Sequence, residues 1–444
     1  MTPRYFAAAL EPLATIARNT GMSRSIALLS LALLAGCTAQ AQQSSAPRST
    51  APASGISDSG QPVSAALDDS AFRACLLNLQ SDAAARGIPQ SVVQRAFAGI
   101  TSADPRVIEL DRRQPEFLLS FWRYVGNAAS DQRIATGRQM LVQHAALLGR
   151  VQAQYGVQPE VLTAFWGLES NYGGNLGDFP TIRSLSTLAC DERRAKFFQA
   201  ELVEALRMIA VDRIEPATMR GSWAGAFGNT QFMPSTFTGN AIDYDGDGRR
   251  DLFRSLPDVF ASSANFLRNS GWRAGEVAAH EITLPANFPW DQADPSIEKS
   301  NAEWAALGVR RIDGQPLGAP QDSTAIGLPA GHRGPAFLLL PNFKVILRWN
   351  RSLLYGLGIH ILSERIAGRP GMTAVQTWAE APLAATDIVE MQDVLRRLGH
   401  YPDPSDGLVG PKTRAAIRAY QASIGLPQDG FPDQDLMTRL RSVR

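Results

Sequence analysis

Ala164-Phe165-Trp166-Gly167-Leu168-Glu169-Ser170-Asn171-Tyr172-Gly173-Gly174 sets one carboxylate at the end of an apolar, aromatic run and just ahead of a glycine-rich turn. A carboxyl group held against Phe165, Trp166 and Leu168 is poorly solvated, which favours its protonated form and raises its pKa. An acid that stays protonated near neutral pH is what cleavage of a glycosidic bond needs to protonate the leaving oxygen. On this segment alone the plainer reading, a glutamate capping a helix end on a solvated face, is the better one. The rest of the chain reverses that order.

Upstream, Tyr155-Gly156-Val157-Gln158-Pro159-Glu160 combines a helix stop, a turn and a proline at the first position of the next helix, which then delivers Glu169. Phe72, Leu76, Leu79 and Ala83 recur at helical spacing, as do Ile134, Met140, Leu141, Leu147, Leu148 and Val151 over a longer run. Pro89 marks a turn before a helix carrying Val92, Val93 and Ala96. Neither βαβ alternation nor a glycine-rich phosphate loop is present. Downstream, Phe227-Gly228-Asn229-Thr230-Gln231-Phe232-Met233-Pro234-Ser235-Thr236-Phe237 brackets amides and aromatics with glycine and proline. Amides hydrogen-bond hydroxyl and N-acetyl groups and aromatic faces stack on sugar rings, although a surface turn leading into a core element fits the same residues.

Asp243-Tyr244-Asp245-Gly246-Asp247-Gly248-Arg249 has the alternating spacing of a calcium loop, with side-chain oxygens from Asp243, Asp245 and Asp247 and a backbone carbonyl from Arg249. Position twelve is Arg254 where a bidentate glutamate is expected, and the nearest later carboxylate is Asp258. The alternatives are an extended loop around a structural Ca2+ or an Asp-Gly turn without metal. In neither case is a cofactor required for catalysis.

The N-terminus carries Arg18 and Arg24 ahead of the apolar run Ile26–Leu34, interrupted only by Ser30, and then Leu34-Ala35-Gly36-Cys37. Residues 1–36 have the form of a secretory signal, too short to span a bilayer as a mature helix. The last four residues resemble a bacterial lipobox, which implies lipidation of Cys37. Thr38 after it, rather than aspartate, implies the periplasmic face of the outer membrane. Removing residues 1–36 takes away Arg4, Arg18 and Arg24 against Glu11, so the net charge of +1 becomes +1 − 2 = −1. So neutral a chain does not suit a nucleic-acid partner. Residues 37–65 are Ser, Ala, Pro, Gln and Gly with few large apolar groups, the composition of a disordered tether. Cys75 and Cys190 remain, able in an oxidising compartment to form one disulfide or to stay free.

Residues 66–368 resemble the membrane-bound lytic murein transglycosylase B family. The matching elements, in order, are Trp166–Gly173, Arg193-Arg194-Ala195-Lys196-Phe197-Phe198, Gly221–Ala226, Gly228–Ser235, the Asp243 loop and Pro341–Ser352. The resemblance implies a mainly α fold: an α+β lysozyme-like catalytic domain with a deep cleft, acting on the glycan strands of peptidoglycan. Glu169 falls on the family's catalytic glutamate. Ser222, Gln231 and Asn350 fall on polar cleft positions, and Tyr124 and Tyr355 on aromatic ones. Arg193 and Arg194 match a basic lip. Phe197, Phe266 and Trp349 stand where the family has tyrosine, keeping a stacking face and dropping a hydroxyl. The resemblance also brings Asp258 forward as a metal ligand.

The implied reaction is a transglycosylation that leaves 1,6-anhydro ends, with one residue serving as acid and then base. A hydrolytic muramidase on the same fold is the alternative, since a hydrolase needs a second carboxylate and only Asp178, Asp191 and Glu201 lie near in sequence. A wall-binding lipoprotein without activity is a third reading, opposed by the intact Glu169, Gln231 and Asn350. After a linker at 369–385, residues 386–444 resemble a small three-helix peptidoglycan-binding domain. The signs are Ile388, Val389, Met391, Val394, Leu395 and Leu398 at helical spacing and the turn Asp406-Gly407-Leu408-Val409-Gly410-Pro411-Lys412-Thr413. Protein partners are not indicated.

Overall fold

The computed structural model describes residues 68–113, 119–378 and 382–443. The signal segment, the tether and Cys37 lie outside the described residues. From Asp68 onward the chain is mainly helical, with one five-stranded sheet set into it. Local chemistry starts most of the helices. Asp68 accepts from the N–H groups of Ser70 and Ala71 at 2.8 and 2.7 Å to open Asp69–Ala85, and Ser120 and Ser130 cap Phe121–Ala128 and Asp131–Gln143 in the same way. Pro159 occupies the first position of Pro159–Ser170, and Gly156 ends the preceding helix with φ +76°, as the sequence predicts.

Phe72, Leu76, Leu79 and Ala83 form the buried stripe of the first helix, and Val92, Val93 and Ala96 that of Gln90–Phe97. The longer run at 134–151 is not one helix. It breaks at His144 into Asp131–Gln143 and Ala145–Tyr155, so Ile134, Leu148 and Val151 are buried while Met140, Leu141 and Leu147 only flank the core.

Two short strands, β1 (Phe179–Pro180) and β2 (Arg220–Gly221), pair beside the helical core. The larger sheet takes β3 (Ala279–Thr283), β4 (Lys299–Ser300), β5 (Arg310–Arg311), β6 (Ser323–Gly327) and β7 (Ala336–Leu339) in the order β4-β6-β7-β3-β5, with antiparallel pairing throughout. Along β7 the side chains alternate between two cores. Phe337 and Leu339 join the helical one, while Ala336 and Leu338 join a second built around Ile282, Ile326 and Trp304. The helices Ala385–Arg397, Pro411–Ser423 and Gln434–Ser442 enclose a third core of Met391, Leu395, Ile417, Tyr420 and Met437. This is the three-helix unit expected at the C-terminus.

Cys75, in the first helix, and Cys190, one residue beyond the helix Thr181–Ala189, are disulfide-bonded with Cα atoms 6.0 Å apart. The bond spans 115 residues, and chain-entropy arguments assign about 4–5 kcal/mol to closing a loop of that order. Reduction of the purified protein should therefore lower Tm by roughly 5–15 °C, and Cys75→Ser should melt with the reduced protein rather than the oxidised one. Differential scanning calorimetry with and without reductant checks this.

Candidate active site

Glu169 is the penultimate residue of the buried helix Pro159–Ser170 and is itself half-buried. The helix stops abruptly because three successive residues take positive φ: Asn171 at 51°, Tyr172 at 59° and Gly173 at 81°. The turn folds Tyr172 back beneath the helix, where a Cβ on Gly167 would stand 2.6 Å from its ring. Glycine at 167 is thus required by close approach. Tyr172 is anchored by donating to the Arg133 carbonyl at 2.7 Å and by an edge-on contact with Trp166.

The Glu169 carboxyl is held from a distant helix. Tyr355, in Leu353–Ile366, donates its hydroxyl proton to Glu169 Oε1. Burial, then the neighbouring Glu169 charge, push the Tyr355 pKa well above the ordinary tyrosine value, so the hydroxyl keeps its proton and remains a donor. Tyr124 lies close enough to act on the same hydroxyl electrostatically. Phe165 carries the aromatic contacts onward. Its ring lies 6.3 Å from that of Tyr355 and 4.4 Å from that of Trp349, which meets Phe232 and Phe266 at 5.1 Å each. Glu169, Tyr355, Tyr124, Trp349 and Phe266 are thus linked through one cluster of aromatic rings.

A second loop closes on the first. Ser222 N–H donates to the Ala226 carbonyl at 2.7 Å, and the Ala226 N–H returns a bond to Ser222 Oγ at 3.1 Å. Gln231 takes φ +49°, a conformation uncommon outside glycine and often found at functional loops. Its Nε2 donates to the carbonyls of Gly228 and Leu176 at 2.9 and 3.1 Å. Asn350 is exposed just past the helix Pro341–Trp349 and accepts from the Ser352 N–H at 3.0 Å.

The basic pair has a partner that sequence reasoning missed. Arg193 and Arg194 both bind Asp111, which is 3% exposed. Their guanidinium groups clamp the helix Pro105–Arg113 instead of standing as a bare basic lip. Phe197 is 49% exposed and contacts Phe198 edge-on. Of the nearby acids considered as a second carboxylate, Glu201 caps the helix Pro234–Asn240 through the N–H and hydroxyl of Ser235 at 2.9 and 2.7 Å. Asp191 accepts from the Arg193 N–H at 3.1 Å and pairs with Arg112. Both have structural work.

In the acidic loop, Asp243, Asp245 and Asp258 bring carboxylate oxygens within 4.8 Å of one another. That spacing and the hard oxygen donors fit Ca2+, whose bonds run to about 2.3–2.6 Å. Asp247 is not in this group; it is exposed and accepts from the Arg249 N–H at 2.8 Å. Asp258 is fully buried, its pKa raised by burial against the opposing effect of the backbone N–H groups of Asp251 and Tyr244.

Asn229 ties this loop to the catalytic helix. Its Oδ1 accepts from Trp166 Nε1 at 2.8 Å, while its Nδ2 donates to the carbonyls of Leu252 and Phe253 at 3.1 and 2.9 Å. Every partner is buried or nearly so. Asn229→Ala strands the Trp166 indole N–H and the Phe253 carbonyl, while the Leu252 carbonyl keeps the backbone N–H of residue 229 at 2.9 Å; a stranded buried group costs about 1–3 kcal/mol. The expected result is a fall in Tm of several degrees together with loss of activity, checked by thermal melts beside rate measurements; Asn229→Asp, which retains only the acceptor, should fall between.

An acid seated by a tyrosine beside a cluster of aromatic rings, on a mainly helical scaffold, suits an enzyme that cleaves polysaccharide chains by acid catalysis. Residues 71–364 match the family described as Transglycosylase SLT domain, and residues 384–440 match a peptidoglycan binding domain. The membrane-bound lytic murein transglycosylase B of Escherichia coli K12 is 30% identical over 246 residues, covering 55% of this chain and 67% of that protein. SltB3 from Pseudomonas aeruginosa, solved in complex with NAG-NAM-pentapeptide, is 42% identical with a TM-score of 0.79, covering 83% of this chain and 99% of that one. The Escherichia coli lytic transglycosylase Slt35 in complex with calcium gives 27% identity and a TM-score of 0.59 over 66% of this chain and 92% of its own. The chain belongs to the lytic transglycosylase family of peptidoglycan-acting enzymes.

Proposed function

We propose that this enzyme cleaves the β-1,4 bond between N-acetylmuramic acid and N-acetylglucosamine and leaves 1,6-anhydro-N-acetylmuramic acid ends, with Glu169 as the sole acid and base. The observation that supports this is the half-buried Glu169 carboxyl held by the buried Tyr355 hydroxyl. Glu169 protonates the glycosidic oxygen, the C1–O bond breaks, and the N-acetyl carbonyl of the same muramic acid stabilises the positive charge at C1. Ser222 and Gln231, on the facing loop, orient that N-acetyl group. The Glu169 carboxylate then takes the C6 hydroxyl proton as O6 bonds to C1. Water is not consumed, and the partly buried rings of Phe266 and Trp349, backed by the buried Phe165 and Phe232, suit a site that must exclude it. A second structure of the 42%-identical SltB3, in complex with NAG-anhNAM-pentapeptide, supports the anhydro product.

In the same reading, Asp243, Asp245 and Asp258 hold a structural Ca2+ with the Arg249 carbonyl, bracing the loop on which Asn229 leans. The calcium complex of Slt35 supports this assignment. Tyr124, Phe197, Arg193, Arg194 and Asn350 line the path of the substrate strand, and the C-terminal unit keeps the enzyme on the wall, raising the local concentration of glycan. Lipidation of Cys37 anchors the chain to the outer membrane on its periplasmic side. The Leu34–Cys37 sequence supports this, and no helix among the described residues is long and apolar enough to cross a membrane.

Glu169→Gln is expected to reduce release of soluble muropeptides by at least about a thousandfold while co-sedimentation with sacculi persists. Mass spectrometry of wild-type products should show muropeptides one water lighter than reducing ends; reducing ends would identify a hydrolase and reopen the search for a second carboxylate. For the metal, saturating Ca2+ should raise Tm by roughly 3–6 °C over chelator-treated protein, and Asp243→Ala should abolish that difference in a thermal shift measurement.

A further inference from the structure

Away from Glu169, the molecule carries a groove with a cavity volume of about 340 Å³. Three of the chain's eight tryptophans line it: Trp122 from the helix Phe121–Ala128, Trp290, and Trp378 from the stretch leading to the C-terminal unit. Glu169, Tyr355, Trp349 and Phe266 are not part of its lining. Trp122 and Trp378 meet edge-on at 6.2 Å, and Trp290 meets His332 at 5.7 Å. On the rim, Val375 and Ile312 are 71% and 47% exposed.

The groove is a built feature. Its linker wall is pinned to β3, because Glu281 accepts from the Thr373 N–H and hydroxyl at 2.6 and 2.7 Å and from the Ala374 N–H at 2.9 Å. Its other edge is shared with the C-terminal unit. His332 binds Asp429 at 2.6 Å, and Arg333 binds Asp433 and Asp435 at 2.8 and 3.1 Å. The charged groups facing the groove are therefore already engaged, which leaves no spare charge to fix the carboxylates or amines of a peptide. Stacking surfaces remain, since Trp122, Trp290 and Trp378 are each only half-buried. Indole faces that meet apolar C–H faces, with few but placed polar groups, are the recognition chemistry of a neutral sugar, and the volume is within the range of about 300–1,000 Å³ typical of ligand sites.

We propose that this groove is a second saccharide-binding site, holding an N-acetylated glycan segment beside the C-terminal unit while the cleft holds another. The proposal rests on the glycan substrate argued above. The test uses residues 38–444 with Glu169→Gln, labelled at the tryptophan indoles, titrated with a soluble N-acetylglucosamine tetramer and followed by NMR. The indole signals of Trp290 and Trp378 should shift along with that of Trp349. Val375→Asp, at a position too exposed to govern folding, and Trp378→Ala should weaken the groove response at least tenfold and leave the Trp349 response intact. In the active enzyme the same two changes should slow clearing of insoluble sacculi several-fold with turnover of a short soluble glycan unchanged. A Trp349 shift with the groove indoles silent overturns the second site and leaves the glycan reading standing. Silence at all three overturns both. Groove shifts produced by a free stem peptide and not by the tetramer overturn the saccharide assignment.

Discussion

A carboxyl group at the end of an apolar helix has to be held, and here the holder comes from 186 residues further along the chain. The Tyr355 hydroxyl can reach Glu169 only if the helices Pro159–Ser170 and Leu353–Ile366 pack directly against each other, which they do through nearly continuous buried faces. Both are apolar on more than one side because each is covered by further helices. The geometry of the Glu169–Tyr355 pair is thus inherited from core packing: shifting either helix along the other would separate donor from acceptor. A hydrogen bond of this kind contributes about 0.5–1.5 kcal/mol net, enough to favour one orientation of the acid over those that a free glutamate would sample.

The loops around that pair are locked by polar contacts of long range in sequence but short range in space. Asn229 bridges Trp166 on the catalytic helix to the carbonyls of Leu252 and Phe253, just beyond the acidic loop. Gly173 allows it: a Cβ there would stand 2.7 Å from Asn229 Oδ1. Strained backbone is concentrated at these loops. Of the four non-glycine residues with positive φ among those described, Asn171, Tyr172 and Gln231 flank the site. Such conformations persist only where surrounding contacts over-determine them, and the hydrogen bonds of Tyr172, Gln231 and Asn229 supply that determination.

How far the sequence disclosed this depends on how local each cause is. Proline at 159, glycine at 156 and the alternating aspartates of the acidic loop act within a few residues, and helix boundaries and loop position were legible from them. The C-terminal helices were legible for the same reason. The break at His144 was not, since it occurs without proline or glycine at that point and answers to packing. Strand β7 was hidden because its two faces enter two different cores, so no polar alternation marks it. Asp111 lies 82 and 83 residues from the arginines that clasp it, and no pattern in the sequence couples them. Tyr355 entered the candidate site through family resemblance alone, whereas Asp258 was already offered by the loop spacing as the nearest carboxylate past Arg254 and was brought forward by the resemblance.

The two ends of the described chain are joined by different physics. Within the catalytic domain, elements meet through a large apolar core reinforced by the Cys75–Cys190 bond. The C-terminal unit instead meets the sheet domain through ionic and polar contacts: Arg418 with Asp294, Arg333 with Asp433 and Asp435, and His332 with Asp429. The Arg333 pairs are partly exposed and screened by salt, whereas Arg418–Asp294 and His332–Asp429 are largely buried, so the C-terminal unit is set by a few polar anchors that lie apart from the acid and its tyrosine. An enzyme working on an insoluble mesh benefits from that division. The helical core fixes Glu169 against Tyr355, whereas the C-terminal unit is positioned by polar pairs that touch neither residue.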